Sequence, residues 1–312
     1  MKNILIVLLL TGTNLIGQEI TGWSKGSRYN IKKSSTTTHP NAITSTSESK
    51  HYKIGDKSLS RELTKPSNSS TNTVPIPEAK TSIGLSGDGT KVALVVGNAN
   101  YTKNAKLKNP INDANSIDSA LTAINFKVIR VTDADYNAMR KALGQFGKEA
   151  KDADVAFFYY AGHGLQVDGE NYLIPLGADI ETKEQVALEC VSTKLILKTL
   201  EMTASHSRLN VMVLDACRNN PFESWSRSSG SGLSAVTPPN GTLVAYATSP
   251  GKTAADGSAG HGLYTGELIK QLVEKQRIED VFINTRVQVE YKSHGQQSPW
   301  ELARLRGKYY LK

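Results

Sequence analysis

The chain has 312 residues, a formal net charge of +8, 38% apolar residues and 21% charged residues. At roughly 100–200 residues per domain, this length allows one or two domains with a sizeable core. The one long apolar run, residues 4–10, is too short to span a bilayer, so the composition excludes a transmembrane bundle and predicts no stable membrane anchor.

The N-terminus has the layout of a secretory signal peptide. Lys2 precedes the apolar run and small residues follow it through Gly17, which predicts cleavage before Gln18 and export of the mature chain. No cysteine lies near this point, so no lipid anchor is expected. An inert apolar N-terminus is the alternative. We therefore expect a signal peptide over residues 1–17 and a secreted or periplasmic protein.

The next segment, residues 18–89, is poor in large apolar side chains and rich in Ser, Thr, Asn and Lys. Ten of the sixteen residues 34–49 are Ser or Thr, a composition that cannot bury enough apolar surface to offset chain ordering. We expect a disordered basic tail or prosegment. Gly84, Gly87 and Gly89 mark its boundary with the first ordered strand.

The positive charge is concentrated in this tail. Residues 18–88 carry ten Lys or Arg against six Asp or Glu, whereas residues 89–312 carry 26 against 23. The part expected to fold is therefore nearly balanced. Since it shows no basic stripe interleaved with aromatic residues, no nucleic-acid partner is predicted.

Beyond residue 89, short apolar runs alternate with amphipathic helical patterns, which is typical of a parallel α/β sheet. Strands are expected at residues 91–97, 126–131, 154–160, 209–214, 242–247 and 309–311. Helices are expected at residues 110–124, 136–150, 193–202, 263–275 and 279–291, with a polar hairpin-like excursion through Asp168 and Gly169. The prediction is one α/β domain over residues 90–312, with a mostly parallel six-stranded sheet flanked by helices.

Two candidate catalytic residues follow successive predicted strands. His163 lies in AGHG at 161–164 after the third strand, and Cys217 lies in LDACR at 214–218 after the fourth. Functional residues of open α/β sheets gather beyond the carboxyl ends of strands, so neighbouring strands would bring this pair to one crevice. A thiolate is a strong nucleophile, and an imidazole can serve as its base and later protonate the leaving amine.

Each residue has a simpler interpretation. A single histidine after a strand is often a loop residue, and a single cysteine is often a small core residue. Their occurrence at successive strand ends favours the catalytic pair. A second Gly-His-Gly, residues 260–262, follows a polar loop, so we interpret His261 as loop structure. Cys190 and Cys217 could also form one disulfide, but we predict that Cys190 is a packed thiol.

Asp215 lies two residues before Cys217, so on a strand both side chains would point to the same side. It is a candidate for the same crevice. A helix cap or an ion pair with Arg218 is the alternative.

These motifs resemble those of caspase-like cysteine peptidases of the metacaspase and paracaspase branch. The matching runs are YYAGHG at 159–164, LDACRN at 214–219, YATSPG at 246–251 and, as in bacterial members, QSPWE at 297–301. The resemblance covers about residues 91–311 and implies a three-layer sandwich with endopeptidase activity. It implies His163 as general base and acid, Cys217 as nucleophile, and the backbone N–H groups of Gly164 and Cys217 as the oxyanion hole.

The resemblance also implies the substrate. Metacaspases and paracaspases hold Arg or Lys with carboxylates, and the matching positions are Asp113, Asp215 and Asp256. Arg fits best because its planar fork can engage a carboxylate through two hydrogen bonds. Asp113 has the alternative of a carboxylate at a helix start, and Asp256 that of an Asp-Gly turn. Protein or peptide substrates with Arg or Lys at the cleaved bond are the expected partners.

The sequence departs from the family in other respects. It has no dense acidic cluster after Cys217 like the calcium site of many metacaspases, no Cys/His set spaced for zinc, and no nucleotide or cofactor motif, so no metal or cofactor is predicted. A catalytically silent caspase-like binding domain and a hydrolase or transferase for a small acyl substrate remain alternatives. Arg227, in a small polar loop after Cys217, is the best candidate for self-cleavage, with an uncleaved linker as its alternative.

Overall fold

The computed structural model describes residues 89–202, 209–217, 233–249 and 260–312. The predicted signal peptide and nearly all of the predicted tail lie outside these residues. Asp256 and Arg227 also lie outside them, so the predictions made for both positions stay predictions. Among the described residues, no helix is both long and apolar enough to cross a bilayer.

The main sheet has six strands, five parallel and one antiparallel, which confirms the predicted mostly parallel sheet. In chain order these are β1 (Lys91–Gly97), β2 (Phe126–Thr132), β3 (Val155–Val167), β6 (Leu209–Cys217), β7 (Thr242–Tyr246) and β8 (Trp300–Ala303). Their spatial order is β2-β1-β3-β6-β7-β8, and only β8 runs antiparallel to its neighbour. Two short strands, β4 (Glu170–Leu173) and β5 (Val191–Ser192), extend from the far part of β3.

Helices cover both faces of the sheet. The six described helices are α1 (Pro110–Ala123), α2 (Tyr136–Ala150), α3 (Lys183–Glu189), α4 (Thr193–Met202), α5 (Leu263–Leu272) and α6 (Ile278–Lys292). Helices α1, α5 and α6 pack on one face, and α2 and α4 on the other. Alternate residues of β1 enter the two cores, because a strand points successive side chains to opposite faces. This confirms the predicted three-layer sandwich.

Strand β3 is longer than predicted because its apolar run continues through the glycines. Its first eleven residues are buried, and it then turns back into β4 through Asp168 and Gly169. Both turn residues have positive φ, 50° and 82°, as a tight hairpin turn with right-handed strand twist requires. His163 therefore lies inside β3 and not in a loop after it.

The prediction of a last strand at residues 309–311 was wrong. Tyr310 makes only an isolated bridge to Arg277, and the strand that closes the sheet is β8. Tyr309 and Leu311 are apolar because they are buried in the core, each about 1% exposed. In β8, Glu301 pairs with Arg286 at 2.5 Å, and none of the four residues is fully buried, so this short edge strand lacks the long buried apolar run of the central strands.

Candidate active site

The site lies at the point where strand order reverses. From β1 the chain proceeds to β2 on one side, and later to β3 and β6 on the other, so a crevice opens beyond the carboxyl ends of β1 and β3. The fully buried Asn98 fixes the loop after β1, since its side chain accepts from Ala134 N at 2.9 Å and donates to Ala134 O at 3.1 Å. The loop after β1 therefore borders this crevice.

His163 contacts this loop through one ring nitrogen. Its Nε2 lies 2.6 Å from the carbonyl oxygen of Ala105. A carbonyl oxygen can only accept, so Nε2 carries the proton. Its Nδ1 is buried and has no hydrogen-bond partner among the described residues. In the neutral ring Nδ1 therefore holds the free lone pair, and it is the atom that can take a proton from a nucleophile.

The surroundings of His163 favour this neutral form. Burial lowers the pKa of the imidazole below its ordinary value, and the hydrogen bond to the Ala105 carbonyl opposes this decrease. The Tyr101 ring packs 4.5 Å from the imidazole, and its hydroxyl accepts the His163 N–H at 3.0 Å. The Tyr160 hydroxyl donates to the His163 carbonyl at 2.7 Å. These contacts fix both the backbone and the ring of His163 in place.

Cys217 is the last residue of β6 and the register partner of His163 on β3. The two strands are parallel neighbours, as the catalytic pair requires, and neighbouring strands lie about 4.8 Å apart. The Cys217 side chain lies outside what the structure describes. Gly164 follows His163, and a Cβ added there would lie 3.1 Å from the Ala216 Cβ, so a glycine suits the close packing. Its oxyanion role stays a prediction.

Two of the three predicted substrate-binding acids converge. Asp113 lies in the first turn of α1 with its side chain 4% exposed, and it accepts the Gly262 N–H at 3.1 Å and 3.3 Å on its two oxygens. Asp215 on β6 accepts from the Thr265 hydroxyl at 2.6 Å. A Cβ added to Gly262 would lie 3.3 Å from Asp113 Oδ2 and 3.5 Å from Asp215 Oδ2. We call these two carboxylates the acid pair.

The acid pair lies at the start of α5, whose N-terminal N–H groups favour negative charge. Withdrawal of the Asp215 carboxyl from water raises its pKa to about 6, and hydrogen bonds from the Thr265 and Tyr159 hydroxyls oppose the rise. Asp215 is therefore ionised above pH 6 and loses its charge on acidification. At neutral pH the acid pair offers negative charge to a cation.

A model of the caspase domain matches residues 90–310 of the chain. The chain belongs to the caspase domain family. This confirms the resemblance to caspase-like proteins that the motifs indicated.

Relatives of this caspase domain include animal and fungal proteins. The human mucosa-associated lymphoid tissue lymphoma translocation protein 1 is 29% identical over 192 residues, covering 60% of this chain and 22% of the relative. Its mouse homolog is 27% identical over 211 residues, which cover 66% of this chain and 24% of the relative. Metacaspase-1 of Candida albicans is 34% identical over 96 residues, which cover 26% of this chain and 21% of the relative. The matches thus span less than a quarter of each relative's length.

Besides Tyr101, sequence reasoning missed four neighbours of the candidate site. Ala105 contributes a main-chain carbonyl, for which no side-chain pattern exists. Thr265 and Tyr159 lie within apolar segments whose pattern predicts core residues. Their hydroxyls nevertheless both bond to Asp215 and lie 2.6 Å from each other. His261 lies in a loop, as predicted, but its contact with Asp113, Nδ1 to Oδ1 at 3.3 Å, was not predicted. Its position between two glycines, repeating the motif around His163, was the available signal.

Cys190 is a packed thiol, as predicted. It is free and 3% exposed at the end of α3, and burial raises its pKa to about 12. A thiol with such a pKa is protonated at neutral pH and unreactive. It therefore does not compete with Cys217 for the role of nucleophile.

Proposed function

We propose that the chain is a cysteine endopeptidase that cleaves peptide bonds after Arg or Lys, with Cys217 as nucleophile and His163 as base. The observation that carries the proposal is the fixed tautomer of His163. Ala105 binds the protonated Nε2, so the basic Nδ1 is available in a ring that is register partner to Cys217. A histidine with only a packing role would not need a buried nitrogen without a partner.

In the proposed acylation step, His163 Nδ1 takes the Cys217 thiol proton and the thiolate attacks the scissile carbonyl carbon. A C–S bond forms, and the carbonyl oxygen becomes an oxyanion that accepts from the N–H groups of Gly164 and Cys217. When the intermediate collapses, the C–N bond breaks and the imidazolium gives its Nδ1 proton to the leaving amine. The Nε2–H remains on the Ala105 carbonyl throughout.

Deacylation returns the site to its starting state. His163 Nδ1 takes a proton from water, and the hydroxide attacks the thioester carbon. The C–S bond breaks, the acid product leaves, and the Cys217 thiolate regains the proton from the imidazolium. No cofactor enters these two steps, because the thiol and the imidazole supply the nucleophile and the proton carrier.

Specificity for a basic residue rests on the acid pair. Two carboxylates within about 3.5 Å of one point attract a cation and repel a substrate carboxylate. Arg has the advantage over Lys, because its guanidinium presents several donors in one plane and can contact both carboxylates at once. A substrate aspartate in this position would face two like charges.

We further propose that the chain is exported and that it cuts itself after Arg227. Both rest on sequence alone, namely the signal-peptide layout of residues 1–17 and the small polar loop around Arg227. Intact-mass analysis of exported wild type beside Cys217→Ala tests them. We expect loss of residues 1–17 in both proteins and a further cut in wild type alone. An uncut, active wild type would remove self-cleavage from the proposal.

The main proposal is tested with peptides that differ only in the residue before the reporter group. Under reducing conditions we expect cleavage after Arg, weaker cleavage after Lys, and none after Asp or Ala. Cys217→Ala should be inactive and His163→Ala should lose nearly all activity, while Cys190→Ala, the matched cysteine control, should retain activity. Cleavage after Asp, or an active Cys217→Ala protein, would contradict the proposal.

A further inference from the structure

We propose that His261 is an internal, pH-dependent competitor for the acid pair: its protonated ring pairs with Asp113 and opposes binding of the substrate's basic side chain. The inference rests on the proposed specificity for Arg or Lys and adds its regulation. His261 is a basic side chain in contact with the acid pair, with Nδ1 3.3 Å from Asp113 Oδ1.

The segment around His261 is hydrogen-bonded to the first turn of α1. Asn112 donates through its side chain to the Gly260 carbonyl at 3.3 Å, and Asp113 accepts the Gly262 N–H. Gly260 has a φ of 78°, a conformation that disfavours other residues, so the approach of the imidazole depends on glycine. The His261 side chain is 28% exposed, so part of the ring contacts water although Nδ1 is buried.

His261 Nδ1 makes no hydrogen bond to the described residues in the present geometry. A neutral ring offers Nδ1–H in only one tautomer, whereas an imidazolium always offers it. Protonation therefore converts a close contact into a charge-assisted interaction with Asp113. A guanidinium approaching the acid pair would then meet a carboxylate already neutralised by a neighbouring cation, and it would also be repelled by that cation.

Other groups at the acid pair titrate differently. Asp215 on β6 gains its proton near pH 6, which also weakens binding of a cation on acidification. Tyr159 on β3 and Tyr264 on α5 have pKa values well above the ordinary value because they are buried, so they stay neutral across the useful range. Glu301 of β8 acts on Tyr264 through its charge. The contribution of His261 must therefore be separated from that of Asp215.

Agmatine, a guanidinium cation without a carboxylate, is a suitable probe for calorimetric binding. The full chain carrying Cys217→Ala serves as background, since it cannot cleave itself. We compare this background with the same protein carrying His261→Asn, and with His294→Asn as the matched control, because His294 is exposed in the turn after α6. His261→Gln provides a second variant with a longer polar side chain.

At pH 8.5 all four proteins should bind agmatine within about twofold of one another. At pH 5.5 both His261 variants should bind about fivefold more tightly than the background, as expected for losing one competing, partly exposed ion pair. The His294 variant should follow the background. The remaining loss of affinity in the His261 variants should follow the protonation of Asp215.

Two other outcomes separate the inference from the proposed specificity. Agmatine binding with the same pH dependence in the background and both His261 variants would overturn the inference and leave the acid pair as a site for basic residues. No agmatine binding to any of the proteins at pH 8.5 would overturn both.

Discussion

Thr265 connects the acid pair to the core, and its hydroxyl helps to set the proton affinity of Asp215. Its Oγ1 donates to Asp215 Oδ2 at 2.6 Å and lies 2.6 Å from the Tyr159 hydroxyl. Thr265→Val preserves the shape of the side chain and deletes this hydroxyl. Because the hydrogen bond stabilises the ionised carboxylate, its loss should raise the pKa of Asp215 above the present value of about 6.

The size of this shift follows from the hydrogen bonds that remain. A hydrogen bond to a charged group contributes about 1.5–3 kcal/mol, or roughly one to two pKa units. The Tyr159 hydroxyl still bonds to Asp215, so we expect the pKa of Asp215 to rise by about one unit, the lower end of this range. At pH 6 the ionised fraction of Asp215 should fall from about one half to about one tenth, and kcat/KM for an Arg peptide should fall about fivefold. At pH 8.5 both proteins should be equally active.

The assay is the pH profile of kcat/KM, which reports the ionisations of the free enzyme. Wild type, Thr265→Val and Thr285→Val are compared with one Arg peptide between about pH 5 and pH 9. Thr285 is the matched control, because it is fully buried in α6 and its hydroxyl donates only locally, to Val281 O at 2.7 Å. Protonation of His163 affects all three proteins alike. An acid limb of Thr265→Val that superimposes on that of wild type would refute the reasoning.

Three further predictions concern the histidine and the two cysteines. Tyr101→Phe leaves the buried His163 N–H unpaired and should cost about 1–3 kcal/mol in urea unfolding. Tyr172→Phe, at a partly buried tyrosine of β4, should cost under about 0.5 kcal/mol, and equal costs would contradict the assigned hydrogen bond. His163→Ala should lower kcat about 10²–10⁴-fold with little change in KM, and an unchanged kcat would exclude it as the base. In native Cys217→Ala protein, thiol reagents should leave Cys190 unmodified until denaturation, so rapid labelling would contradict its burial.

The parts of the site that the sequence predicted are those tied to regular elements. The pairing of His163 with Cys217 followed from apolar runs that ended in polar motifs, because parallel strands align their carboxyl ends at one edge of the sheet. The convergence of Asp113 and Asp215 was expected from the family resemblance. The contacts explain it, since Asp113 and Asp215 both lie against the start of α5.

The parts that escaped prediction depend on contacts between distant segments. Helix α3 has seven residues and buries only Val186, so it shows no apolar stripe, and its capping box of Thr182 and Gln185 was its one local signal. The Ala105 carbonyl and the His261 ring both reach the site from loops. The contact between His163 and Ala105 joins residues 58 apart in sequence, and the contact between Asn112 and Gly260 joins residues 148 apart. No local periodicity encodes such approaches.

The most direct test of the proposed chemistry is covalent trapping of the nucleophile. A short peptide ending in Arg and carrying a thiol-reactive ketone is incubated with the native chain, and the modified residue is located by peptide mass mapping. We predict one label per molecule, on Cys217, greatly slowed in His163→Ala and absent when the peptide ends in Asp. Labelling of Cys190 instead, or equal labelling by the Arg and Asp peptides, would contradict the account.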